Sequence, residues 1–164
     1  MIFSSHLFKL GLIIVTVSQL VTGAPSDSLR TQALNTHNKY RARHHVPGVK
    51  WNQNLANHAT RVSQTCNFKH VVLPNTGQNI SRGYPSMEAA IDDWYNEVRN
   101  YNYNTGSNKP GSSTGHFTQV VWKGTTQIGC GATYCNNYRQ TFYVCNYNPS
   151  GNYNGQNRAN VIHP

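Results

Sequence analysis

Four cysteines, Cys66, Cys130, Cys135 and Cys145, constrain this 164-residue chain more than any other feature. What they can do depends on the compartment, and the first residues speak to that. Met1 to Lys9 carries a single lysine. Leu10 to Val21 is apolar apart from Gly11, Thr16, Ser18 and Gln19, and Thr22-Gly23-Ala24 supplies small residues at the −3 and −1 positions. The pattern is that of a secretory signal peptide over 1–24, cleaved after Ala24 and too short to span a bilayer comfortably. An even number of cysteines in an exported chain predicts two disulfides, with three connectivities open, and makes zinc held by these thiols a poor alternative. Closing the long loop from Cys66 stabilises the fold by about 2–4 kcal/mol through loss of unfolded-chain entropy.

Cleavage leaves residues 25–164, enough for one domain with one core. Losing Lys9 with the leader takes the net charge from +9 to +8, histidines neutral. A basic extracellular domain is attracted to anionic membrane or cell-wall surfaces. The densest cationic group, Lys39, Arg41 and Arg43, has no aromatic-and-basic nucleic-acid motif around it. It reads as a solvated helix face followed by exposed His44 and His45, with no nucleic-acid partner.

Leu29, Ala33, His37 and Tyr40 recur at helical spacing and predict a helix from about Ser28 to Arg43, ended by Pro47-Gly48. Trp51, Leu55, His58, Ala59 and Val62 predict a second helix running toward Cys66. Residues 67–84 read as irregular. Ser86 is placed to cap a third helix, with Glu88 in its first turn and an apolar stripe of Met87, Ile91, Trp94, Tyr95 and Val98. The Asn-, Gly- and Ser-rich stretch 100–114 reads as a surface loop. Thr114 is then placed to cap a short helix, "GHFTQVVW". "TTQIGCGATYC" and "QTFYVCNYN" read as two strands joined by "NNYR", and the tail from Pro149 lacks a core pattern. Helices around a small sheet give an α+β class.

His37 and His58 lie on apolar stripes and read as core residues, and His163 lies in the tail. His70 and His116 sit where regular structure meets loop, which is where sites concentrate. Of the two glutamates, Glu88 has a helix-dipole role. Glu97 lies at the edge of the third helix's buried stripe, four residues from Asp93. A carboxylate there needs solvent or a cationic or metallic partner.

The segments "GHFTQVVW", "IGCG" and "VCNYNPSGNY", preceded in order by "LNTHNKYRARH" and "GQNI", resemble the signature segments of the CAP superfamily. That superfamily comprises the cysteine-rich secretory, antigen 5 and pathogenesis-related 1 proteins. "WYNEVRNYNYN" looks most like its fungal pathogenesis-related-1-like members. The resemblance runs from about Leu29 to Tyr153. It implies a three-layer α-β-α sandwich with a small, mainly three-stranded antiparallel sheet, in a single CAP domain over 25–164. It implies the pairs Cys66–Cys135 and Cys130–Cys145. It also implies a cleft lined by His70, Gln78, Glu97 and His116, in which Gln78 stands where the family pattern has an acid. Divalent metal occupies this cleft in several members. His70, Glu97 and His116 would then form a three-ligand site for a metal such as zinc, weakened by the missing charge at Gln78. Gln78 is alternatively a partner that holds a histidine tautomer. Asn79-Ile80-Ser81 is a formal glycosylation sequon, but an asparagine in the motif beside the cleft is expected to make buried hydrogen bonds rather than carry a glycan.

The function expected from the resemblance is a secreted, monomeric, non-enzymatic carrier of sterols or fatty acids that requires no cofactor. Tyr101 and Tyr103 would offer an adaptable rim. The alternatives are an effector or defence protein acting at a cell surface and, less favoured, a metal-assisted hydrolase.

Overall fold

The computed structural model describes residues 25–164, with side chains from Ser28 onward; the leader and its cleavage point lie outside the described residues. The elements run α1 (Pro25–Arg43), β1 (Lys50–Trp51), α2 (Gln53–Gln64), β2 (Gly77–Arg82), α3 (Met87–Asn96), β3 (Tyr101–Asn102), β4 (Ser107–Asn108), α4 (Gly115–Val120), β5 (Gln127–Cys135), β6 (Gln140–Asn148) and α5 (Asn157–Asn160). A single 3₁₀ turn, Glu97–Asn100, continues α3.

The central sheet has the order β1-β5-β6-β2. β5, β6 and β2 are antiparallel, and the two-residue β1 adds a parallel edge beside β5. The β5–β6 hairpin register sets Cys130 opposite Cys145, and that pair is a disulfide. The other bridge, Cys66–Cys135, ties the end of α2 to the end of β5. Both pairings match those the resemblance implies.

Strand side chains alternate between the two faces of the sheet. On β6, Tyr143, Cys145 and Tyr147 point into a core shared with Ala33 and Tyr40 of α1, Ile91 and Trp94 of α3, and Phe117 of α4. Phe142 and Val144 point the other way, onto Ala59 and Val62 of α2. The molecule is therefore an α-β-α sandwich, with α2 alone in one outer layer.

"IGCG" on β5 follows from the same alternation. Ile128 and Cys130 face the larger core. Gly129 and Gly131 face α2, whose backbone lies directly on them. A β-carbon at Gly129 would sit 2.2 Å from the Ala56 nitrogen, and one at Gly131 would sit 2.4 Å from the Thr60 nitrogen.

Four sequence expectations are corrected here. Trp51 belongs to β1, and α2 starts only after Asn52, whose side chain accepts the Asn54 and Leu55 N–H groups. Residues 77–82, expected to be irregular, form β2. Their polar sequence lacks a strand pattern because the strand is defined by pairing across to β6. Arg41 and His44 are fully buried. Arg41 donates from Nε to the Pro47 carbonyl, from Nη1 to those of Val120 and Trp122, and from Nη2 to that of Thr125. His44 donates from Nδ1 to the Ile162 carbonyl and accepts the Tyr95 hydroxyl at Nε2. That contact seats the tail, whose Val161 reaches the core. Finally, Tyr101 is buried against Phe117 and Tyr103 packs beside it, so neither forms a free rim.

His37 and His58 are core histidines, as expected. His37 donates from Nδ1 to the Ala33 carbonyl and accepts the Tyr147 hydroxyl at Nε2. Burial pushes its pKa down to about 4, so the ring is neutral at physiological pH.

Candidate functional site

Ser86 caps α3 by accepting the Ala89 N–H, and the helix then runs its stripe inward as far as Tyr95. Two residues later the chain tightens, and Glu97 points at the start of α4. Its Oε2 accepts the backbone N–H groups of His116, at 2.9 Å, and Phe117, at 3.1 Å. Its Oε1 accepts from His116 Nδ1 at 2.8 Å. A carboxylate at a helix N-terminus satisfies otherwise orphaned donors and meets the favourable end of the dipole. Glu97 thus takes the capping role expected of Thr114, whose hydroxyl donates to Asn108 instead.

These contacts fix the His116 imidazole. With Nδ1–H given to the carboxylate, the neutral ring carries its lone pair on Nε2. The Trp94 ring stacks on it at 6.1 Å between centroids, and Asn79 Nδ2 donates to the His116 carbonyl. Asn79 Nδ2 also donates to the Tyr147 hydroxyl, and Asn79 is 2% exposed. A glycan at Asn79 is incompatible with that burial, so the asparagine of the sequon makes buried hydrogen bonds, as expected from its place beside the cleft.

The second imidazole is held by the second partner. His70 Nδ1 donates to Gln78 Oε1 at 3.1 Å. The same oxygen accepts the Val71 N–H, while Gln78 Nε2 donates to the Val71 carbonyl at 2.7 Å and to Asn146 Oδ1 at 2.9 Å. Asn146 Nδ2 donates in turn to the Leu55 carbonyl and to His58 Nδ1. Burial lowers the His58 pKa, which keeps that nitrogen free to accept. A chain of directed bonds therefore runs from α2, through the sheet, to His70.

His70 and His116 line one cleft of about 500 Å3 with Phe68, Lys69 and Ile80. The four expected residues are thus two tethered pairs, His70 with Gln78 and His116 with Glu97, whose imidazoles share the cleft. Phe68, Lys69, Ile80 and the supporting Asn146 were not singled out from the sequence. Phe68 and Lys69 stand inside the "CNFKH" stretch that marks His70, and Asn146 lies within "VCNYN".

The three-ligand metal set does not assemble. Among the described residues, no group of three His, Cys, Asp or Glu side chains could hold a metal ion. The reason is local: both Glu97 oxygens are turned toward α4 and His116, from which they accept three hydrogen bonds, and Glu97 is not among the residues lining the cleft. The donors left toward the cleft are two imidazole Nε2 atoms, short of the three protein ligands of an open zinc site. Nor is Gln78 a worn-out acid. Its amide meets both backbone groups of Val71, which a carboxylate cannot do because it has no donor. Gln78→Glu sets acceptors against the Val71 and Asn146 oxygens. It lowers stability by about 1–3 kcal/mol, read as a lower urea midpoint at unchanged slope. A midpoint at or above wild type would refute the clamp.

A profile of the cysteine-rich secretory protein family, CAP, matches residues 34–147. The chain belongs to the CAP family. Among curated relatives, this CAP chain is 34% identical to the pathogenesis-related protein PR-1 type of Sambucus nigra, over 92% of this chain and 94% of that one. It is 37% identical to protein PRY2 of Saccharomyces cerevisiae over 80% of this chain and 40% of that one. It is 39% identical to a probable pathogenesis-related protein of Candida albicans over 82% and 42%. The chain spans less than half the length of these two fungal relatives. Among solved structures, the Schistosoma mansoni venom allergen-like protein 4 aligns with a TM-score of 0.69 at 26% identity, over 82% of this chain and 95% of that one. The fungal and plant pathogenesis-related likeness expected from the motifs is thereby established. Two disulfides fit an extracellular CAP protein.

Proposed function

We propose that this CAP protein is secreted and binds and carries a small amphiphilic lipid, a sterol or a fatty acid, without catalysing a reaction on it. The observation that carries this is the composition of the cleft. Phe68 and Ile80 offer an apolar wall, while His70, His116 and Lys69 place two imidazoles and an ammonium beside it. A volume of about 500 Å3 lies in the range of small-ligand sites. An apolar body on Phe68 and Ile80, with a hydroxyl donating to an imidazole Nε2 or a carboxylate at the Lys69 ammonium, matches both halves of that lining.

The His116–Glu97 pair has the polarity of a general base. Among the described residues, no Ser or Thr hydroxyl and no free thiol is bonded to either imidazole, so no nucleophile is coupled to that base. A ligand-orienting role uses the same geometry without one.

The test is saturation binding of labelled sterol and labelled fatty acid to purified 25–164, with unlabelled competitors. Saturable, competable binding of either is expected, reduced about tenfold by His116→Ala, since a buried hydrogen-bond partner contributes about that much. Absence of saturable binding for both probes would overturn the carrier function.

A further inference from the structure

The acidic residues of this chain are strongly segregated. They are Asp27, Glu88, Asp92, Asp93 and Glu97, and none lies between Ser28 and Met87 or after Glu97. Four of the five therefore sit on α3 and the turn that continues it, in the layer opposite α2. The α2 side of the sheet carries exposed Arg61, Lys69 and Arg82 with no carboxylate among them.

That cationic side also carries the longest exposed apolar segment described. Phe68 is 44% exposed, Val71 49% and Val72 55%. Three exposed hydrophobic side chains within five residues, on a monomer-sized domain, mark an interaction surface rather than chance exposure. Nor is the segment slack. The Cys66–Cys135 bridge fastens its base, and Asn137 Nδ2 donates to the Cys66 carbonyl. The Gln78 amide pins Val71 through both its N–H and its carbonyl. The backbone is thus held at Val71 and at the base of the segment, with both valine side chains exposed. The Arg82 guanidinium lies 5.0 Å from the Phe68 ring centre and 5.1 Å from that of Tyr138. The apolar segment and the cations thus form one surface.

We propose that the segment Phe68–Val72, with its own Lys69 and the neighbouring Arg82, docks the protein on an anionic lipid bilayer. Phe68, Val71 and Val72 enter the interfacial zone, and the cations pair with headgroup phosphates and carboxylates. Apolar insertion combined with cationic attraction is the physical basis of peripheral membrane binding. The absence of acids on this layer removes the repulsion that α3 would bring, so the protein approaches with α2 and this segment toward the membrane. Because Phe68, Lys69 and His70 line the cleft, docking sets the mouth of the cleft against the bilayer. The surface does not need the carrier function: headgroup binding and cargo uptake are separate readouts.

The test is co-sedimentation of purified 25–164 with vesicles of phosphatidylcholine, with and without phosphatidylserine. Binding is expected only with phosphatidylserine, and it weakens as salt rises. Val71→Asp/Val72→Asp lowers vesicle affinity roughly tenfold or more, since two half-exposed valines lose their apolar insertion. Lys69→Glu lowers it roughly tenfold, while Lys123→Glu, the same charge change in the opposite layer, leaves it near wild type. Unchanged binding of the double valine variant would overturn the proposal, leaving a purely electrostatic polyanion site. Equal losses for Lys69→Glu and Lys123→Glu would overturn it in favour of bulk charge. Equal binding to vesicles without phosphatidylserine would overturn it as well. Vesicle binding without uptake of labelled sterol or fatty acid upholds this docking surface while removing the carrier function, and the reverse result does the opposite.

Discussion

Arg41→Met lowers the unfolding free energy by about 3–5 kcal/mol, because four backbone carbonyls lose a charged hydrogen-bond donor. Arg41 is fully buried, and its partners are four carbonyls rather than a carboxylate. Two of them, Val120 and Trp122, lie at the C-terminal end of α4, where the helix dipole favours a cation. Burial works against the charge and lowers the pKa to about 10, yet the group stays protonated at neutral pH. Methionine fills much of the volume but leaves four buried carbonyls one donor short. Arg41→Lys recovers only part of the loss, because an ammonium has three donors and cannot reproduce the guanidinium fork. Urea unfolding decides the matter: a Met variant within about 0.5 kcal/mol of wild type would mean that the carbonyls find other donors. Since α4 carries His116, the same substitution loosens the cleft, and the proposed lipid binding falls with stability.

The second large effect comes from the opposite layer. Gly129→Ala costs about 3 kcal/mol, at the upper end of the overpacking range. The added methyl would lie 2.2 Å from the Ala56 nitrogen and 2.6 Å from the Asn52 carbonyl oxygen, both backbone atoms of or beside α2 that cannot rotate away. The helix must lift from the sheet as a body. Leu55 and His58 lift with it, and they are the residues that hold Asn146, and through it Gln78 and His70. Gly129→Ala therefore lowers the thermal midpoint and, under the proposed carrier function, the affinity for labelled lipid. Wild-type values for both would show that α2 is free to shift without strain.

Much of this was legible in the sequence wherever the physics is local. Ser86 followed by a 3.6-residue apolar period is enough to start and face α3, and the short apolar run in "QTFYVCNYN", set off by the turn "NNYR", is enough to make β6 a strand. The paired strands, the two core histidines and the positions of His70 and His116 follow from such patterns or from motif order. What escaped is non-local. β2 has no pattern of its own, because six polar-rich residues become a strand only when β6 supplies the partners. Arg41 and His44 read as solvated because nothing beside them in sequence hints at the carbonyls of Pro47, Val120, Trp122, Thr125 and Ile162 that receive their protons. Glu97 reads as a metal ligand until α4 arrives to claim both its oxygens. Gln78 reads as a lost charge until Val71 is seen to need a donor and an acceptor together. The sequence by itself determined the main helices, the β5–β6 hairpin and the candidate residues His70 and His116, because periodicity, capping and motif order act over a few residues. Tertiary structure alone decided which buried polar groups find partners, and so whether each histidine is a ligand, a donor or a strut, because that depends on what lies opposite in space.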